Sequence, residues 1–152
     1  MHISKSAGYA VHGLVYLVTK KSGDPVQISE IAEYQNVSRT YLAKIFQQLS
    51  TARIIVGQRG ITGGYLLSKQ PDTITLLDVV EAVDGPVIKR HCCLGVMECQ
   101  LKPMCVILDA FVEANNRFAD YLKSVTLEDV VARVTNVNAP YVYSKKKSAA
   151  KK

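Results

Sequence analysis

The sequence lacks the short motifs that mark most enzymes. It contains no C-x-x-C redox pair and no phosphate-binding glycine loop. A nucleophile at Cys92 or Cys93 would need a histidine and an acid arranged around it, and beyond His91 the chain shows no such constellation. We therefore expect a protein that is not an enzyme.

The chain also lacks a hydrophobic run long enough to cross a bilayer. The longest apolar candidate, residues 7–18, is too short, and His12 interrupts it. Two lysines follow this run, and no small-residue cleavage site precedes Pro25, so it does not resemble an export signal. We expect a cytoplasmic protein with no membrane partner. Its four cysteines, all within residues 92–105, are then expected to bind metal or sense redox state rather than form structural disulfides.

Acidic residues are scarce in the first half of the chain. Residues 1–70 hold eight Lys or Arg against three acids, whereas residues 71–144 hold six against ten. The last eight residues hold five lysines and no acid, within a total of 152 residues and a net charge of +6. A basic first half predicts contact with a polyanion, because phosphate groups attract Lys and Arg.

Two short helices joined by a tight turn are predicted in this basic half. Residues 29–34 form the first, and Ser38 is a good N-cap for the second. The second has an inward face at helical spacing, made by Leu42, Ile45, Phe46 and Leu49. Its start exposes Arg39, Thr40, Tyr41 and Lys44. This arrangement is typical of a recognition helix for the DNA major groove, although a merely solvated surface would carry the same residue types.

A β-hairpin is predicted directly after these helices. Residues 53–58 and 65–69 are strand-like and enclose a glycine-rich tip that begins with Arg59 and Gly60. Glycine allows close backbone approach, and a single arginine suits a narrow, electronegative minor groove. The same glycines could serve the turn alone. Helix, turn, helix and basic wing in this order predict a winged helix-turn-helix, so the fold class is mainly α with a small β-hairpin wing.

A long amphipathic helix is predicted in the second half. Pro103 suits a first helical position. From there an apolar stripe is made by Ile107, Phe111, Ala114, Phe118 and Tyr121. A helix of roughly twenty residues is about 30 Å long, more than a small domain needs, and it is expected to pack against a second copy of the chain. Packing within one chain is the alternative.

Three evenly spaced cysteines form the candidate metal site. Cys93, Cys99 and Cys105 are separated by equal gaps around Gly95, so a short loop could surround one inorganic centre. Thiolates are the ligands that iron-sulfur clusters require. A zinc site is less consistent, because structural zinc usually uses paired C-x-x-C knuckles. Thiol oxidation without metal is the other alternative, with Cys92 or Cys93 pairing with Cys99.

The motifs resemble the Rrf-two family of bacterial transcriptional regulators, and in particular its IscR, NsrR and RirA types. The resemblance rests on residues 38–42 (SRTYL), on residues 59–67 (RGITGGYLL), on residues 76–80, on the spaced cysteines and on residues 126–130. It leaves only the tail unmatched. It implies a homodimeric transcription factor, expected to be a repressor, that binds a partly palindromic operator. The implied DNA contacts are Ser38, Arg39, Thr40, Tyr41, Lys44, Arg59 and Gly60.

The resemblance also implies an iron-sulfur cluster that senses nitric oxide, redox state or iron and cluster supply. IscR-like members have a histidine three residues after the last cysteine, where this chain has Leu108. The departure favours a four-iron, four-sulfur cluster over a two-iron, two-sulfur one. NsrR-like members can take a carboxylate from the partner's first helix, where this chain has Gly8. The candidates for a fourth ligand are His91, Cys92, Asp109, His12 of the partner subunit, or a small exogenous molecule.

Four regions are expected from these patterns. Residues 1–85 form the DNA-binding domain, and residues 86–106 form the cysteine-bearing loop. Residues 103–136 contain the dimerisation helix. Residues 137–152 form a basic tail that is expected to be disordered and either adds nonspecific phosphate attraction or serves solubility alone.

Overall fold

The computed structural model describes residues 3–20, 23–60, 63–87 and 105–136. Cys92, Cys93, Cys99 and His91 lie outside these ranges, as does the basic tail from residue 137 onward. Within the described part, the helices are α1 (Lys5–Thr19), α2 (Ile28–Tyr34), α3 (Arg39–Thr51), α4 (Leu76–Asp84), α5 (Val106–Ser124) and α6 (Leu127–Asn136). The strands are β1 (Ile55–Gln58) and β2 (Gly64–Leu67). This mainly α architecture with one hairpin confirms the predicted fold class.

Helix α1 forms the centre of the domain. Ser4 is its N-cap, and the Ser4 hydroxyl accepts a hydrogen bond from the backbone N–H of Ala7 at 3.0 Å. Ala7, Ala10 and Leu14 recur at helical spacing and are fully buried. Helix α1 packs against α3, α4 and α6, so its apolar stripe is shared by several neighbours. No helix in the described ranges is long and apolar enough to cross a membrane.

Helices α2 and α3 form the predicted helix-turn-helix. The Ser38 hydroxyl accepts a hydrogen bond from the Tyr41 backbone N–H at 3.1 Å, which confirms Ser38 as the N-cap of α3. The turn between the helices is closed at Asn36, which adopts a left-handed conformation with φ of 52°. All four residues of α3 that were expected to face inward are buried. They are Leu42, Ile45, Phe46 and Leu49.

The wing is a two-stranded antiparallel hairpin. Ile55 pairs with Leu67, and Gln58 pairs with Gly64. The first strand starts two residues later than predicted, because Arg53 is left-handed with φ of 57° and belongs to the turn after α3. The hairpin is attached to the domain at Tyr65, which exchanges backbone hydrogen bonds with Val26 at 2.9 and 3.0 Å. A Cβ at Gly64 would lie 2.5 Å from the Val26 carbonyl oxygen, so glycine is required there.

Matching capping boxes start α4 and α6. Thr75 and Asp78 satisfy each other's backbone N–H groups, and Thr126 and Asp129 do the same two helices later in the chain. The two boxes lie beside each other, since Thr75 and Thr126 form an isolated antiparallel bridge. Gly85 ends α4 with φ of 80°, the conformation expected for the stop.

Helix α5 differs in position from its prediction. It begins at Val106 rather than at Pro103, and Cys105 is its N-cap with an extended backbone (φ −79°, ψ 96°) instead of a residue in the first helical turn. Its C-terminal half is fixed to the domain: Leu122 is buried with Ala7 and Val80, and Phe118 packs against them. Three residues of the predicted stripe are exposed in the single chain: Ile107 (62%), Phe111 (55%) and Tyr121 (59%). Ala114 and Phe118, the other two, are half-buried.

Candidate nucleic-acid interface

An open cleft of about 800 Å³ separates the recognition helix α3 from the wing. One wall is the outer face of α3, and the opposite wall is the end of β1 with the hairpin tip. The start of α2 closes the third side through Gln27, Ile28 and Ser29. The cleft therefore collects side chains from the three elements that a winged helix-turn-helix places against DNA.

The cleft is positively charged. Arg39 and Lys44 extend from α3, and Arg59 extends from the tip of the wing. Among its described lining residues there is no carboxylate, so nothing in that set neutralises the three cations. A concave surface with several cations attracts an extended polyanion more strongly than isolated surface charges would.

Five of the seven predicted DNA contacts line this cleft. They are Arg39, Thr40, Lys44, Arg59 and Gly60. Gly60 adopts φ of 123°, a conformation that side-chain-bearing residues rarely take, and its exposed backbone bends the tip of the wing behind Arg59. The structure thus brings the two parts of the predicted site, separated by the fourteen residues between Lys44 and Arg59, onto one surface.

The other two predicted contacts lie outside the lining of the cleft. The Ser38 hydroxyl is used as the N-cap of α3. The Tyr41 hydroxyl lies 2.8 Å from the Ser6 hydroxyl of α1, and the Tyr41 ring meets the Tyr9 ring edge to face with centroids 5.8 Å apart. Tyr41 is 38% exposed, but the described contacts join it to α1 rather than to the wing.

Sequence reasoning missed several lining residues. Gln47 and Ser50 continue the exposed face of α3 toward its C-terminal end, and Gln58 precedes the tip of the wing. The sequence does place Gln47 on the polar face of α3 with Thr40 and Lys44, although it was not among the predicted DNA contacts. The places of Gln27 and Ser29 in the cleft could not have been predicted, because they depend on where the start of α2 packs. No local sequence pattern indicates that packing.

A polar cluster fixes α2 to α1 beside this interface. The Tyr16 hydroxyl donates a hydrogen bond to Glu30 at 2.7 Å, and Lys20 forms an ion pair with the same carboxylate. Both contacts lower the pKa of Glu30 below its ordinary value, and the contact with Lys20 has the larger effect. The Lys20 ammonium also lies 5.5 Å from the centre of the Tyr16 ring. The cluster is largely exposed, so we assign it an orienting role rather than a large share of stability.

Of the three cysteines predicted to bind the cluster, the described ranges include Cys105. Cys105 has a free, half-buried thiol at the N-cap of α5, and its side chain makes no capping hydrogen bond. Asp109 lies one helical turn later, and its backbone N–H donates to the Cys105 carbonyl at 3.0 Å. His12 is half-buried in α1, and burial lowers its pKa. Among the described residues no three His, Cys, Asp or Glu side chains are grouped as metal ligands.

Sequence relatives assign the chain to a family. A family model described as Rrf2, iron-dependent transcriptional regulator, matches residues 3–133. The HTH-type transcriptional regulator IscR of Pectobacterium atrosepticum is 30% identical over 131 residues, which cover 86% of this chain and 79% of that protein. The regulator of the same name from Sodalis glossinidius is 30% identical over 132 residues, covering 87% and 79%. These relatives are regulators, not enzymes.

Solved structures share the fold. CymR, described as the global cysteine regulator of B. subtilis, has a TM-score of 0.72 and 25% identity, covering 88% of this chain and 98% of that one. IscR from T. potens has a TM-score of 0.70 and 21% identity, covering 92% and 93%. The family model covers nearly all of the described chain, and the winged helix-turn-helix agrees with it. This chain belongs to the Rrf2 family of transcriptional regulators.

Proposed function

We propose that this chain is a homodimeric repressor whose affinity for its operator is set by an iron-sulfur cluster bound to Cys93, Cys99 and Cys105. The observation that carries the DNA-binding part is the cationic cleft between α3 and the wing. As a DNA-binding regulator it would act in the cytoplasm.

The cleft suggests how the duplex is held. Arg39, Thr40 and Lys44 lie on the exposed face of α3 and would meet base edges and phosphates in the major groove. Arg59 lies at the wing tip, where it would enter the neighbouring minor groove. The start of α2 would contact the phosphates between the two grooves, since Gln27 and Ser29 lie on that side of the cleft.

The dimer is proposed from the exposed stripe of α5. Ile107, Phe111 and Tyr121 recur on one face and are each more than half accessible, while Leu122 on the adjoining face is buried in the domain. Several exposed large apolar side chains on one face of a helix are typical of a protein interface. A twofold pairing through α5 would present two recognition helices to two half-sites of a palindromic operator.

The cluster is proposed from the cysteine spacing and the family. Cys105 fits a ligand role, because its thiol is accessible and unused in capping. Cys105 lies at the start of the nineteen-residue helix α5, directly after the segment that carries the other two cysteines. When bound, the cluster would supply a centre that reacts with nitric oxide or oxygen, or is lost when iron is scarce. The fourth ligand is assigned here to one of His91, Cys92, Asp109, His12 of the partner subunit or a small exogenous molecule.

A thiol switch without a cluster is the second candidate. It is favoured by the similarity to CymR of B. subtilis, the global cysteine regulator of that organism. A CymR from Staphylococcus aureus, which shares the fold, has been solved in an oxidised form. The half-buried Cys105 thiol is accessible to oxidants as well as to metal.

One experiment separates the two candidates. Protein purified without oxygen is measured by visible absorption and circular dichroism, and iron and acid-labile sulfide are counted on the same sample. We expect a brown protein with matched iron and sulfide, bleached by nitric oxide. Cys99→Ala should be colourless, whereas Met97→Ala, a change between the cysteines at a residue outside the proposed ligands, should keep the colour. A colourless wild-type protein that cannot be reconstituted, but whose DNA affinity responds to oxidation, would favour the thiol switch.

A further inference from the structure

The last turn of α4 is joined to the two helices that flank it by side-chain hydrogen bonds. The Asp84 carboxylate accepts from both the backbone N–H (3.0 Å) and the hydroxyl of Ser4, the N-cap of α1. One residue earlier, the Val83 carbonyl accepts from the Gln48 side chain of α3 at 3.3 Å. One turn of helix therefore contacts the start of α1 and the outer side of the recognition helix.

The same turn also fixes the chain as it leaves α4. The Glu81 carboxylate accepts a hydrogen bond from the backbone N–H of Val87 at 3.0 Å, across the left-handed Gly85. Val87 packs against the small core that contains Ala7, Val80 and Leu122. Val87 is the last described residue before the segment that carries Cys93 and Cys99. A displacement of that segment at Val87 would therefore act directly on the end of α4.

A third contact joins α1 directly to α3. The Ser6 hydroxyl of α1 lies 2.8 Å from the Tyr41 hydroxyl of α3, two residues after Ser4, which contacts Asp84. The recognition helix is thus attached near its start through α1 and near its end through Gln48. Both attachments lead to Val83 and Asp84.

We propose that the last turn of α4 transmits the state of the cysteine segment to the recognition helix, with Asp84 and Gln48 as its positioning residues. This inference rests on the proposed function, since it requires that the cysteine segment exist in two states. Coupling requires that these contacts stabilise one state of the cysteine segment more than the other. A substitution that removes the contacts from both states therefore removes that difference in free energy. The segment between Val87 and Cys105 would then act through α4, in addition to any change in dimer geometry.

The test compares four proteins: wild type, Asp84→Asn, Gln48→Ala and Asp72→Asn. Asp84→Asn keeps the shape of the side chain but removes one of its two acceptor oxygens. Gln48 is exposed, so Gln48→Ala tests the other contact without disturbing the core. Asp72 is exposed in the short 3-10 turn Pro71–Thr73 and controls for the loss of one negative charge. The probe is a duplex selected from random DNA by the loaded wild-type protein.

The measured quantity is the ratio of operator Kd values with the cluster loaded and with iron removed by a chelator. Taking the ratio cancels any direct effect of charge on DNA binding. We expect a wild-type ratio of about 5- to 150-fold, the usual range of allosteric coupling. Asp84→Asn and Gln48→Ala should each lower that ratio at least threefold while keeping the visible spectrum, and Asp72→Asn should keep the wild-type ratio. A purely structural role would instead change both Kd values by the same factor.

Two results would overturn the inference, and they are distinguishable. Unchanged ratios in Asp84→Asn and Gln48→Ala, beside a clear wild-type ratio, would reject the α4 route and leave the proposed function intact. A wild-type ratio near one would reject cluster control of DNA binding, and the route with it. Amide hydrogen exchange of the iron-free proteins gives a readout that needs no cluster. Asp84→Asn should speed exchange at the start of α1 relative to Asp72→Asn, and equal exchange would count against the Asp84 contact.

Discussion

The hydroxyl oxygens of Ser6 and Tyr41 lie 2.8 Å apart and join the first turn of α1 to the first turn of the recognition helix. The Tyr41 ring also meets the Tyr9 ring edge to face. Thirty-five residues separate Ser6 from Tyr41, so no local pattern indicates the pair. We infer that Tyr41 sets the position of α3 relative to α1 and leaves base recognition to the residues that line the cleft.

This inference predicts non-additive effects on stability. Tyr41→Phe keeps the ring contact and removes the hydroxyl, and Ser6→Ala removes the partner. Each should lower the free energy of unfolding by about 0.5–1 kcal/mol, the usual net value of one hydrogen bond. In urea unfolding, the double variant should be at least as stable as the less stable of the two single variants, because both substitutions remove the same hydrogen bond. Fully additive losses, or a changed operator sequence preference in Tyr41→Phe, would contradict the assignment.

Two glycines in α1 should respond oppositely to the same substitution. Glycine inside a helix usually costs about 0.5–1 kcal/mol relative to alanine, so Gly8→Ala, where a Cβ would meet nothing within 4 Å, should stabilise the protein by that amount. At Gly13 a Cβ would lie 2.8 Å from the ring of Phe46, which is fully buried. Overpacking of a core costs about 1–3 kcal/mol and outweighs the helical gain. Denaturant unfolding should therefore show Gly13→Ala as destabilised, and a stabilised variant would mean that Phe46 has room to move.

Arg59 should contribute to operator choice as well as to affinity. Arg59→Ala is expected to weaken operator binding by about 1–3 kcal/mol, roughly 5- to 150-fold, and to relax sequence preference at the base pairs beneath the wing. Lys44→Ala should weaken binding more evenly across sequences and reduce the salt dependence by about one counterion. Lys69→Ala provides the control, because Lys69 is exposed after the second strand and does not line the cleft. Equal losses for Lys69 and Arg59 would reject the cleft as the binding surface.

The start of α6 should carry an acid-sensitive contribution to stability. The Asp129 carboxylate accepts hydrogen bonds from the backbone N–H and the hydroxyl of Thr126, at 2.9 and 2.8 Å. These bonds lower the pKa of Asp129 below its ordinary value of 3.8. The pKa of Asp129 is lower in the folded protein than in the unfolded protein. The stabilisation by these bonds is therefore complete when the pH is above the unfolded-state pKa, and it is lost as the pH falls through the folded-state pKa.

The corresponding measurement is unfolding of wild type and Asp129→Ala between neutral and strongly acidic pH. The difference in free energy of unfolding should be constant near neutrality and shrink once the pH passes below 3.8. Glu128→Ala, the neighbouring exposed acid in the same first turn, controls for the loss of negative charge. A difference that stays constant to the lowest pH would show that the carboxylate bonds do not form.

Local sequence patterns predicted the elements well, because each element is specified by neighbouring residues. The N-cap at Ser38 depends on a contact with Tyr41, only three residues away. The inward face of α3 follows directly from its helical period. The start of α5 was misplaced because proline permits a helix start without requiring one, and Cys105 has an extended backbone.

The parts of the site that were not predicted depend on distant residues. Asp84 bonds to Ser4 across 80 positions, and neither residue carries a local signal for the other. The role of Tyr41 was inferred from its place on α3, but its hydroxyl is directed by packing against α1. The start of α2 joins the cleft because Val26 pairs with Tyr65 of the wing. Such contacts follow from tertiary packing and require a three-dimensional structure.

The central claim is that the cysteine-bound cluster controls operator binding. Its most direct test is an equilibrium titration of a selected operator duplex with one oxygen-free preparation, before and after removal of iron, with iron and sulfide counted at each point. The account predicts that Kd changes at least fivefold in proportion to cluster loss, within the usual range of allosteric coupling. It also predicts that the change is absent in Cys99→Ala. An identical Kd for loaded and iron-free protein would contradict it.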